Sequence, residues 1–147
     1  MEFLGRLQKN MKSESEAYGY TLSVWGSGAL LLQTYNLQAS HIFLFVLGGV
    51  LGFGLLDYIA FRGLKNRVNI KPPEDILSGS MIHLLSALGT LLISYLMITA
   101  GFGLEVMYTA LLVGFNTTFS YNVLLLLEGI FYEDLFKLEE QLFGKRM

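Results

Sequence analysis

Cysteine is missing from this chain altogether, and proline and charge are scarce: two prolines, and charged residues at only 15%. Without a thiol there is no disulfide framework, no thiolate zinc site and no cysteine nucleophile. The two prolines are adjacent, Pro72 and Pro73, so no other part of the sequence carries proline's block to a helix. The charge that is present nearly cancels, with 10 basic against 12 acidic side chains and a net charge of −2. A balance of that kind offers no dedicated nucleic-acid surface. The first dozen residues alternate apolar and charged side chains and lack the continuous apolar stretch of a secretory signal, so they are expected to remain in the mature protein.

What the sequence has in excess is hydrocarbon. Hydrophobic residues make up 53% of 147 residues, and the mean hydropathy is +0.51. A domain of this size has too much surface for its volume to hide that fraction from water. Lipid is the solvent that accommodates it. The length suits one domain, a single four-helix transmembrane unit spanning residues 1–147.

Four apolar stretches have the ~20 residues needed to cross ~30 Å of hydrocarbon. They run from about Ser15 to Tyr35, His41 to Phe61, Ile76 to Ala100 and Glu105 to Tyr132. The junction Asn36 to Ser40 is short and uncharged, and Gly101-Phe102-Gly103-Leu104 is shorter, which predicts two antiparallel hairpins. Arg62 to Asp75 is longer, polar and closed by the proline pair, so it reads as the linker between them.

Before the first span, Phe3, Leu4, Leu7 and Met11 recur at helical spacing among Arg6, Lys9 and Lys12, the pattern of a short interfacial helix over residues 1–13. Ser13 and Glu16 have the spacing of a capping box for a new helix start. After the last span, Phe131, Leu135, Leu138 and Leu142 continue an apolar stripe beside Glu133, Asp134, Lys137, Glu139 and Glu140, which predicts a helical tail over 133–147.

All ten basic residues fall on one side of this topology: Arg6, Lys9 and Lys12, then Arg62, Lys65, Arg67 and Lys71, then Lys137, Lys145 and Arg146. The two opposite junctions have none. Such a bias places both termini and the middle loop in the cytoplasm of a cell-membrane protein.

Polar residues within the spans are the candidates for function. Gly79, His83, Ser86, Thr90 and Ser94 follow one another at steps of three or four on one face of the third span. The first span carries Ser23 and Ser27, and the fourth Asn116, Thr117 and Ser120. Packing through small residues and interhelical hydrogen bonds accounts for such faces one residue at a time. Taken together they also suit the lining of a water-filled path, which four short helices would form at the axis of a homo-oligomer. In that reading His83 gates, and Asp57, Glu128, Glu133 and Asp134 ring the cytoplasmic mouth, with Glu105 on the far side. Gly48 and Gly52 have the spacing that lets two helices approach closely. Asn116-Thr117-Thr118 matches a glycosylation sequon but falls inside a span, out of reach of the modifying enzyme.

An enzyme is not expected. Gly52-Phe53-Gly54-Leu55-Leu56-Asp57 is only loosely similar to the glycine-rich stretch of intramembrane aspartyl proteases, and no second span supplies the partner aspartate. No paired-histidine zinc motif or phosphate loop is present, and no cofactor or metal is implied. By architecture alone the chain resembles the small membrane effectors of bacterial anti-phage systems, which permeabilise the membrane when a companion protein signals, and, in the same class, phage holins. The leading expectation is a homo-oligomeric channel or pore subunit. The alternative is a non-catalytic membrane anchor or assembly subunit whose basic loop and acidic tail dock a cytoplasmic protein or small activating ligand.

Overall fold

The computed structural model describes the backbone over residues 2–63, 79–101 and 103–143, and side chains over 17–60, 83–101 and 103–131 together with 134, 137 and 138. Among these residues the structure is entirely helical. Four helices follow one another: α1 (Glu2–Thr34), α2 (Ala39–Gly63), α3 (Gly79–Ala100) and α4 (Val106–Phe143). Most of the 62–75 linker, with Pro72 and Pro73, lies outside the described residues, as do the first residues expected for the third span.

Three helices contain segments long and apolar enough to cross a membrane: Ala39–Ala60 in α2, His83–Ala100 in α3 and Val106–Phe131 in α4. α1 is not among them. Its sequence mixes Thr21, Ser23, Ser27 and Gln33 into the apolar run and puts charged residues throughout its first half. α1 also has no break at Ser13. The Gln, Met and Lys residues before it are good helix formers with no proline among them, so the helix continues through the expected capping box.

Contacts fix the relative directions. Ser27 meets Ser94 and Tyr35 reaches Ile98, so α1 and α3 run parallel. Ser86 meets Glu128 while Ser94 meets Asn116, so α3 and α4 run antiparallel. Gly48 faces Leu111 and Phe115 while Gly52 faces Phe115 and Thr118, so α2 and α4 run parallel. Consecutive helices therefore alternate in direction. The α3–α4 connection is tight because Gly101 and Gly103 adopt φ of +64° and +62°, which side chains disfavour, and Leu104 N–H donates to the Gly101 carbonyl at 3.3 Å.

Sequence neighbours are not the main packing partners throughout. α3 does pack on α4, but α1 packs chiefly on α3, and α2 chiefly on α4. The short junction Asn36 to Ser40 had suggested that α1 and α2 form an antiparallel hairpin. Instead α2 follows its glycines onto α4, where the closest backbone approach is available. α1, α3 and α4 form a three-helix core, and α2 packs on α4 beside it, with Phe45 reaching the apolar end of that core.

Candidate functional site

The core of α1, α3 and α4 divides into two zones along its axis. At the end near the 35–38 and 101–105 connections, Leu31, Ile98 and Val113 are fully or almost fully buried, and Leu30, Tyr35, Leu37, Phe45 and Met97 pack around them. Toward the other end the interior is a seam of hydroxyls. Ser23, Ser27, Ser86, Thr90 and Ser94 have no exposed surface, Thr117 and Thr118 have 1%, and His83 has 9%.

Helical periodicity creates the seam. Ser86, Thr90 and Ser94 are four apart on α3 and so share a face, as do Ser23 and Ser27 on α1. Small side chains on these faces let the helices come close. Gly19 lies against His83 of α3 and the Tyr121 hydroxyl of α4, and Gly26 against Leu91.

The seam's hydrogen bonds are of two kinds. Several hydroxyls return their proton to their own helix: Ser23 to the Gly19 carbonyl at 3.0 Å, Thr90 to Ser86 at 2.8 Å and Thr117 to Val113 at 2.7 Å. These hydroxyls are satisfied without linking helices. Others join helices. Ser27 donates to Ser94 Oγ at 3.0 Å and Asn116 Nδ2 donates to the same oxygen at 3.2 Å, while Ser120, on the same helix as Asn116, donates to its Oδ1 at 2.6 Å and orients that amide. Ser94 is thus the point where α1, α3 and α4 meet. Nearer the α4 tail, Ser86 donates to Glu128 Oε2 at 2.7 Å, a bond strengthened when the carboxylate is charged. Tyr20 and Thr118 share a hydrogen bond of 3.1 Å, and the Tyr20 and Tyr121 rings pack with centroids 5.6 Å apart.

The candidate pore residues are thereby located. Ser23, Ser27, His83, Ser86, Thr90, Ser94 and Thr117 come together inside one protomer, and Asn116 and Ser120 are partly buried at its edge. The candidate carboxylates do not come together. Glu128 is half-buried toward α3, whereas Asp57, Glu105 and Asp134 are exposed on α2, at the start of α4 and on its tail. The Glu133 side chain lies outside the described residues, as do those of Arg62 and Lys65. Among the described residues no three acidic or histidine side chains are grouped to hold a metal.

Sequence reasoning did not single out Thr109, Thr118 and Tyr121, which are also buried. Thr118 is one helical step from Gly114 and Tyr121 one from Thr117, so the periodicity that marked α3 would have found them on α4. Gly114 is the tightest point of the α2–α4 contact, where an added Cβ would collide with the Phe45 backbone, as one at Gly48 would with Leu111.

No protein-family model, curated protein or solved structure matches this chain.

Proposed function

We propose that the chain is a non-catalytic membrane anchor or assembly subunit that crosses the cell membrane four times, with both termini on the cytoplasmic side. Its role is to hold a partner at the membrane through the cytoplasmic part of α4. One observation carries this choice over a pore at an oligomer axis. The hydroxyls that would have to line such an axis are buried within the protomer, several bonded across its own helices. The surface left outside is dominated by large apolar side chains such as Phe43, Val50, Phe53, Leu85 and Leu92, which suit lipid.

In this reading α1 is the fourth span. It carries Ser23 and Ser27 on the face turned to α3 and α4, so the cost of placing these two in hydrocarbon is offset inside the bundle, while Thr21 and Thr34 on the outside bond carbonyls of their own helix. α4 continues as helix for twelve residues beyond Phe131, the end of its membrane-length segment, and supplies a rod reaching about 18 Å further. Its acidic and leucine-bearing faces are the natural docking surface for a soluble protein.

A second reading has its own support. A hydroxyl seam capped by the apolar cluster of Leu31, Ile98 and Val113 is the arrangement of a path closed by a hydrophobic gate. In that case conduction runs through the protomer rather than between protomers.

Conductance across planar bilayers decides between the two. For the anchor, purified protein gives no current above lipid alone, and Leu31→Ser gives none either. Sustained current from the wild type, or current that arises only in Leu31→Ser, overturns the anchor and establishes the gated path.

A further inference from the structure

The first turn of α2 is closed by a reciprocal pair of hydrogen bonds. The His41 N–H donates to the Gln38 carbonyl at 3.0 Å, and the Gln38 N–H donates to Nδ1 of the His41 ring at 2.9 Å. α2 begins at Ala39, so Gln38 is its cap residue and His41 its third helical residue. In a capping box that third position belongs to glutamate or glutamine, whose side chain accepts the amide of the cap residue. Here an imidazole takes the place of the carboxylate or amide.

The exchange fixes the state of the ring. A backbone amide can only donate, so Nδ1 presents its lone pair and the proton of the neutral ring sits on Nε2. Protonation puts a hydrogen on Nδ1 and abolishes the acceptor. It also places a positive charge in the first turn of a helix, where the free amides already carry partial positive charge. Both effects oppose the closed turn. His41 is partly exposed and Gln38 exposed, so protons from solution reach the bond.

We infer that His41 is a pH-sensitive latch on the α1–α2 connection, closed by the neutral ring and opened by the imidazolium. What it holds follows from its neighbours. Leu37 immediately precedes Gln38, and Phe45 is one helical step beyond His41 on the same face of α2. Both pack against the cluster of Leu31, Ile98 and Val113, so opening the turn between them loosens the apolar end of the core.

The other titratable groups at this end of the bundle are Tyr35 on α1, bonded to the Ile98 carbonyl at 3.3 Å, Tyr95 on α3, and Glu105 and Tyr108 at the start of α4. Neither connection at this end contains a basic residue. Gly48 faces Leu111 and Phe115, and tracing seven residues back along the two parallel helices brings His41 level with the stretch 104–108. Glu105 lies in that stretch and is the one carboxylate there to receive the released imidazolium. In the four-span reading this end faces the outside of the cell, so the latch answers to external pH; the choice of side alone rests on that reading.

The test is NMR of the full chain, labelled with nitrogen-15, in lipid nanodiscs. With the ring neutral, a scalar coupling is expected between the Gln38 amide nitrogen and His41 Nδ1, carried across the N–H···N bond. Between about pH 8 and about pH 5 the coupling disappears and the protection factor of the Gln38 amide falls about tenfold, the combined effect of a lost cap and a misplaced charge. The Tyr35 amide, bonded to the Leu31 carbonyl at 2.9 Å, serves as the reference. His41→Glu restores the usual capping box and keeps Gln38 protected at both pH values, whereas His41→Ala leaves it unprotected at both. A neutral ring with its proton on Nδ1, a constant protection factor in the wild type, or the same fall in His41→Glu overturns the latch.

The side is tested separately. The chain has no native cysteine and Asn36 is exposed, so Asn36→Cys reports the location of the connection through a membrane-impermeant maleimide. Labelling in cells with an intact membrane supports the external side. Labelling only after the membrane is opened overturns that side and the topology behind it, whereas a constant protection factor overturns the latch alone.

Discussion

Two interfaces on opposite sides of α4 use different physics to hold helices together. Toward α2 the contact is backbone on backbone: Gly48, Gly52 and Gly114 remove side chains so that Phe45, Leu111 and Phe115 main chain can approach. Toward α1 and α3 the contact is made through hydroxyls, with Ser94 bonded to Ser27 and Asn116. In the four-span reading neither interface draws on the hydrophobic effect, which vanishes between helices already immersed in lipid. The glycine side depends on shape and tolerates no added atom. The hydroxyl side depends on a few directional bonds, of which only those between helices contribute to assembly.

The largest effect should come from the glycine interface. Gly114→Leu, whose side chain meets the Phe45 backbone, is expected to cost about 3 kcal/mol and to detach α2, read by unfolding in bicelles. Next is the apolar end of the three-helix core, where Leu31→Ala leaves a cavity worth about 2 to 4 kcal/mol in the same assay. Ser94→Ala removes the meeting point of three helices and should cost about 1 kcal/mol. Its companion Ser23→Ala deletes an equally buried hydroxyl that bonds only its own helix, so it is expected within about 0.5 kcal/mol of wild type. If the two serine variants behave alike, the distinction between linking and self-satisfied hydroxyls is wrong. Smallest, and opposite in sign, is Gly54→Ala. An added Cβ there meets nothing within 4 Å, so it is expected to stabilise α2 by about 0.5 kcal/mol.

These contrasts also mark where the sequence stops being informative. The apolar lengths of α2, α3 and α4 were legible because hydrocarbon thickness demands a minimum run of residues, and that demand is local. The shared face of Ser86, Thr90 and Ser94 was legible for a similar reason, since helical period is a property of one segment. Which helix that face meets is not local. The short junction Asn36 to Ser40 brought α1 and α2 together in the reading of the sequence, yet Gly48 and Gly114 complement each other across more than sixty residues and direct α2 to α4 instead. The division of the interior was hidden likewise. Leu31, Ile98 and Val113 look like ordinary apolar residues until three helices bring them to one level.

The continuity of α4 has a mechanical consequence. At 38 residues it is a rod of about 57 Å without a proline hinge, running from the Gly101–Gly103 turn to Phe143. It is also the one helix on which the other three all bear. A pull or twist applied to the tail is therefore conveyed along a stiff shaft to both interfaces at once. Rotation of that shaft by even a fraction of a turn moves Gly114 away from Phe45 and Asn116 away from Ser94 in the same stroke. α4 acts as the axle of the bundle, and whatever grips its free end has leverage over everything mounted on it.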